Sequence, residues 1–229
     1  MRRHAFVLGT VLLAASLPAG ATEYRPDQAP GTPATVEAGA KVFADTCSKC
    51  HGTGGEGTAQ WAPRLHDQKF LSAASNAFLE ATVGKGRPGS NMMAWDKEAT
   101  HTDIGLTTEQ VDQVVAFLRS WQTAPGVALD ESPLKGDLAK GEQVYTTDCQ
   151  QCHGPRGSGV AEAKATIGIG HKAYLTAATD GYLRAVWGRC IDTRKMEKLA
   201  PLPEVSDYPL NYSAADRDSV LTWLRKNAW

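Results

Sequence analysis

Beyond its first 21 residues the chain has no apolar run long enough to cross a bilayer, so no membrane span is expected there. It has no large excess of either charge. Loss of Arg2 and Arg3 with the leader would leave 22 basic against 25 acidic side chains, a balance of −3. That balance speaks against nucleic-acid binding and for an ordinary soluble protein. No Ser-His-Asp arrangement, carboxylate pair or phosphate-binding glycine loop marks a separate catalytic site. Strand signals are weak throughout, and large apolar residues are few, so any core built from the chain alone is modest.

What the chain does have is Cys-x-x-Cys-His, twice: Cys47, Cys50, His51 and Cys149, Cys152, His153. This is the attachment signature for c-type haem. Two thiols three residues apart lie on one face of a helical turn and reach the two vinyl groups of one porphyrin edge. The adjacent histidine then falls over the iron as proximal ligand. A structural zinc site also uses paired cysteines, but a histidine abutting the second cysteine suits a tetrahedron poorly.

The N-terminus agrees with export. Arg2 and Arg3 precede an apolar stretch over residues 5–17, and Ala19, Gly20 and Ala21 form a small-residue cleavage site. Residues 1–21 are therefore expected to be a cleaved signal peptide, leaving 208 of the 229 residues in the periplasm. The other reading is an uncleaved anchor, which the cleavage site disfavours.

The rest is one unit written twice. With Cys47 opposite Cys149, Gly39 and Phe43 face Gly141 and Tyr145. A two-residue shift sets Phe70, Phe78 and Leu79 against Tyr174, Tyr182 and Leu183, and a further two-residue shift sets Phe117 and Arg119 against Trp223 and Arg225. Short insertions between matching blocks mark loops. The expected organisation is a flexible lead-in over 22–34, a first domain over 35–122, a linker over 123–134 containing Pro125, Gly126 and Pro133, and a second domain over 135–229. Val111, Val114, Val115 and Leu118 follow helical spacing. Thr107 and Gln110 form a capping box ahead of them, and Ser213 caps a helix bearing Val220, Leu221 and Leu224. The fold class expected is all-α.

Each repeat resembles a class I cytochrome c, and the pair is similar to the two-domain dihaem cytochromes of the bacterial periplasm. The resemblance implies two tandem domains, each wrapped around one covalently attached haem c. It implies an N-terminal helix crossing the C-terminal one, with Gly39 and Phe43, and Gly141 and Tyr145, at the crossings. It also implies a methionine as sixth iron ligand. The frame that aligns Phe70 with Tyr174 places Met92 opposite Met196, whereas Met93 falls opposite Glu197. In the family the ligand is commonly followed by Pro-Ala and an aromatic residue, a pattern met by Met92, Ala94 and Trp95 with Met93 in the proline position. Met92 and Met196 are thus the expected distal ligands, with Met93 the fallback; the alternative is that the methionines fill core. The family's proline ahead of the distal segment, whose carbonyl orients the proximal histidine, is matched by Pro63, while Ile167 stands at the aligned position in the second repeat. The two haems are therefore not expected to be electronically identical.

The second repeat departs further. Haem attachment leaves one of five cysteines, Cys190. It is a small buried hydrophobe, a competitor of Met196 for the iron, or a thiol that carries a sulfur compound or joins a partner. Arg184, Arg189, Arg194, Lys195 and Lys198 form a basic cluster around the same segment, either a solvated face or a docking surface for an acidic partner. His66, His101 and His171 are read as loop histidines, with bis-histidine ligation by His171 left open.

The function expected is single-electron transfer in the periplasm, between a donor dehydrogenase and a downstream cytochrome or oxidase, with no separate enzyme activity. Two alternatives stay open: a tightly bound cytochrome subunit of a periplasmic, sulfur-compound dehydrogenase, and a haem enzyme or sensor with a displaceable ligand at the second haem.

Overall fold

The computed structural model describes residues 22–58, 62–100, 104–159, 168–187 and 212–229. Among them the regular structure is helical, with only two isolated β-bridges, Thr58 with Ala62 and Asp96 with Leu106.

The first repeat runs α1 (Pro33–Val42), a π-helical turn (Phe43–Cys47), α2 (Ser48–His51), α3 (Gln68–Ala73), α4 (Asn76–Lys85), α5 (Lys97–Thr100) and α6 (Thr108–Ser120). The second follows it with α7 (Leu138–Val144), a second π-helical turn (Tyr145–Cys149), α8 (Gln150–His153), α9 (Lys172–Ala177), α10 (Asp180–Ala185) and α11 (Ala214–Lys226). Caps set the helix starts. Thr107 accepts from the Gln110 amide while Gln110 accepts from the Thr107 amide, the reciprocal box expected from sequence. Ser213 caps α11 in the same way with Asp216.

In each repeat the first helix crosses the last. The crossing is close because a glycine faces backbone: a Cβ on Gly39 would overlap the Gln113 carbonyl, and one on Gly141 would overlap the Ser219 carbonyl. Phe43 and Tyr145, fully buried one turn on, close each crossing from below. Phe43 sits 5.4 Å from Phe117 and 5.2 Å from Trp121, while Tyr145 stacks on Trp223 at 4.7 Å.

A third feature repeats. Arg119 donates to the carbonyls of Leu71 and Ala74 and to Asn76 Oδ1, tying α6 to α3 and the start of α4. Arg225 does the same with Leu175, Ala178 and Asp180. Burial, with Arg25 nearby, pulls the Arg119 guanidinium down to about 10.

Of residues 22–34, expected as a flexible lead-in, 22–32 are tied to the first domain. Gln28 is fully buried and donates to the Leu71, Ser72 and Ala74 carbonyls, while Arg25 donates to Ser72, Ala73 and Val127. Backbone carbonyls left over at the end of α3 supply the acceptors. Pro33 already belongs to α1, capped by Thr32.

One hydrophobic cluster spans both repeats. Phe78 on α4 lies 4.3 Å from Tyr182 on α10 and 5.9 Å from Tyr174 on α9. Phe78 and Tyr182 occupy matching positions, so the repeats meet through the same face of each. The linker is fastened as well: Glu131 accepts from Thr179 and Gly181, and Arg184 donates to the carbonyls of Asp130 and Ser132.

Candidate functional site

The helix entering each Cys-x-x-Cys-His motif widens into a π turn that ends on the first cysteine. A wide turn of this kind is a recurrent feature of functional sites. The motif then occupies a single helical turn, α2 or α8. That turn must stop directly after the histidine, and it does so at Gly52 (φ 78°) and Gly154 (φ 73°), a backbone conformation that excludes side chains. The loop beyond folds back identically in both repeats. Gly57 donates to the His51 carbonyl and Gly159 to the His153 carbonyl, each at 2.7 Å.

Cys47 is half-buried and Cys50 exposed, Cys149 and Cys152 are both half-buried, and none of the four forms a disulfide. Burial pushes the Cys47 thiol up to about 11, with Cys50 adding to the effect. His51 is buried, and its Nδ1 lies 3.1 Å from the Pro63 carbonyl. A carbonyl only accepts, so Nδ1 carries the proton and Nε2 keeps its lone pair. Burial lowers the imidazole below its ordinary value, and the Pro63 bond partly offsets this. The result is a neutral, oriented ring with one nitrogen available, beside two available thiols. That donor set fits a covalently held haem.

Met92 is half-buried against the cluster of Val83, Leu106 and Val111, on which Val42 and Trp95 also pack. Val42 also packs in the cluster that includes Phe43, Cys47 and Leu65. It therefore packs on both the cluster that Met92 joins and the cluster that Cys47 joins. Met93 is 52% exposed and lines, with Ala94, Trp95, Thr100, Ile104 and Gly105, an open apolar cavity of about 210 Å³. In the second repeat His153 is half-buried. Met196, Ile167, Cys190, Arg189, Arg194, Lys195, Lys198 and His101 lie outside the described residues.

One expectation about a charged residue changes on this structure. Arg184 is not part of an exposed basic cluster: its side chain is 5% exposed and pairs with Asp218 at 2.8 Å. His171 caps α9, its Nδ1 accepting from the Ala173 amide, and its ring meets Trp229 edge-on at 4.8 Å. His66 Nδ1 is 2.7 Å from the Gly54 carbonyl. Sequence reasoning missed the π turns, because 3.6-residue periodicity does not report one wide turn. It also missed the Arg119 and Arg225 clamps, although both residues were already aligned by the repeat.

The fold and the two motifs define a small all-helical haem c protein built twice. The sequence matches the cytochrome c family over residues 36–122 and again over 138–228, most of the chain, and it belongs to that family. It is a dihaem cytochrome c with two covalently bound haem c groups, an electron-transfer protein.

It is 33% identical over 142 residues to the cbb3-type cytochrome c oxidase subunit CcoP of Azospirillum sp. (strain B510), taking in 58% of this chain and 43% of that protein. It is 30% identical over 151 residues to the cbb3-type cytochrome c oxidase subunit FixP of Rhizobium meliloti (strain 1021), taking in 62% and 49%. The matches therefore span less than half the length of these relatives. Among solved structures it resembles reduced recombinant cytochrome c4 from Pseudomonas stutzeri, with 21% identity, 86% of this chain and 98% of that chain covered, and a TM-score of 0.26.

Proposed function

We propose that the chain is a periplasmic carrier of single electrons, taking them from a donor dehydrogenase and passing them to a downstream cytochrome or oxidase. In this reading residues 1–21 are the export signal, and residues 35–122 and 135–229 are the two haem domains joined by 123–134. Cys47 and Cys50 would hold the first haem together with His51 and Met92, and Cys149 and Cys152 the second together with His153 and Met196. When bound, each haem supplies a one-electron iron couple, whose potential a thioether ligand raises.

The chain's own residues do the rest. Pro63 fixes the His51 tautomer and ring plane, so that Nε2 keeps a lone pair that would bind the iron. The glycine loops close over the motifs, and the Gly39 and Gly141 crossings bring both termini of each repeat behind them. With His51 and Met92, and His153 and Met196, committed to the irons, neither haem would offer a substrate a binding place, and each would serve as a shuttle rather than a catalyst.

The single observation that carries this reading is the His51–Pro63 bond, which supplies an oriented proximal ligand beside two unpaired thiols. Electron paramagnetic resonance of the oxidised, exported protein tests it. Two low-spin His/Met signals are expected, and Met92→Leu should abolish one of them while Met93→Leu leaves both. A high-spin or thiolate-type signal from one haem refutes the assignment and points to Cys190.

A second reading, a bound subunit rather than a free carrier, is favoured by the likeness to oxidase subunits. Co-purification with a larger redox partner separates the two.

A further inference from the structure

Arg87 lies in the loop between α4 and Met92, and its guanidinium reaches out of its own domain. It rests 3.8 Å over the ring of Tyr174 and donates through Nη2 to the Gly168 carbonyl at 2.9 Å. Both partners belong to the second repeat. Within its own loop the Arg87 amide donates to the Met92 carbonyl at 2.8 Å.

On the far side the path continues. The residue after Gly168, Ile169, donates its amide to the Gly157 carbonyl at 2.9 Å, and Gly159 donates to the His153 carbonyl at 2.7 Å. Met92 and His153, in different domains, are thus joined through covalent bonds and four hydrogen bonds, and on this path it is Arg87 that crosses between the domains. The surroundings are tight: Gly89 lies against the Ser158 carbonyl and Trp229, where a Cβ would meet them at 2.9 and 3.2 Å. Arg87 Nε is buried with no hydrogen-bond partner, so the side chain gives up one solvated donor to hold this position.

We propose that Arg87 is the positioning residue for electron exchange within the molecule, pressing the distal loop of the first haem onto the proximal loop of the second. The inference rests on the ligation by Met92 and His153 proposed above. The step is a one-electron exchange: one iron passes from ferrous to ferric as the other passes from ferric to ferrous, and no bond forms or breaks. Electron tunnelling weakens more steeply across gaps than along covalent and hydrogen-bonded paths. A planar guanidinium that both stacks and donates is a role that lysine does not reproduce.

The test injects one electron per fully oxidised molecule photochemically and follows its redistribution between the haems by freeze-quench electron paramagnetic resonance. Arg87→Gln removes the cation and Tyr174→Leu removes its seat while keeping an apolar side chain. The expected result is severalfold slower redistribution in each variant than in the wild-type protein, with each haem's resting signal unchanged. Equal rates in variants and wild type overturn the proposal, as does loss of the haem signals themselves, which would make Arg87 merely structural. If Arg87→Gln does not fold, Tyr174→Leu decides alone. Failure of the Met92 assignment shows separately, in the resting spectrum of the wild-type protein, and leaves the rate comparison to stand.

Discussion

Gln28 and Arg119 come from opposite ends of the first domain and share acceptors. Gln28 Nε2 and Arg119 Nη1 both donate to the Leu71 carbonyl, at 3.0 and 2.7 Å; Gln28 Nε2 and Arg119 Nη2 both donate to the Ala74 carbonyl, at 2.9 and 2.8 Å. Both donor side chains are fully buried. A carbonyl has two lone pairs, so removing one donor still leaves it one bond. Arg119→Met should cost about 2–3 kcal/mol, the net worth of charge-assisted bonds less the relief of an unfavourable burial. Gln28→Leu should cost about 1–2 kcal/mol on the same grounds. In the double variant both carbonyls lose every side-chain donor, and each orphan adds about 1 kcal/mol or more. The double variant should therefore exceed the sum of the singles by about 2 kcal/mol. Urea denaturation of the holoprotein, followed by circular dichroism, measures all three. A sum that holds within about 0.5 kcal/mol refutes the shared-acceptor argument.

Two glycines in different helices should respond in opposite directions. Gly39→Ala forces α1 off the Gln113 carbonyl and should destabilise by about 1–3 kcal/mol. Gly84→Ala meets only the Asp96 Cβ, at 3.6 Å, and should be neutral or stabilising by up to about 1 kcal/mol; thermal melts of both variants check the pair. Asp218 is held below its ordinary value first by its bond to Arg184. A depressed carboxylate contributes stability that is present above its unfolded value and lost as pH falls through its folded value. Asp218→Asn should accordingly flatten the acid limb of the stability profile below about pH 4 while lowering stability at neutral pH. Phe78→Ala should cost about 3–5 kcal/mol, and limited proteolysis should then cut the linker near residues 123–134, which resists cleavage while the two domains share a core.

The parts legible in the sequence are those written in periodicity or in fixed spacing. The α6 stripe of Val111, Val114, Val115 and Leu118 and its Thr107 cap belong to that class, whereas the Gly39 and Gly141 crossings followed from the family resemblance. What escaped is polar and long-range. Gln28 and Arg25 carry no apolar signal, so their segment read as mobile although it satisfies carbonyls at the end of α3. Arg184 read as one charge in a basic run, because nothing local announces Asp218, 34 residues away. Arg87 has no counterpart in the repeat pattern: its partners, Tyr174 and Gly168, exist only once the two domains meet.

The paired π turns carry a further consequence, for how this gene can change. Each is five residues long, Phe43–Cys47 and Tyr145–Cys149, and each joins a helix locked at a glycine crossing to a histidine that must face one way. One residue added or removed there would swing everything downstream by about 100° around the helix axis. The thiols and the imidazole would then leave the face they share. The two halves of the chain have drifted apart in length after the motif, by two residues before α3 and two more before the last helix. Across the wide turn they have kept the same count. A single-codon deletion there would act as a loss-of-cofactor mutation even though it removes no ligand.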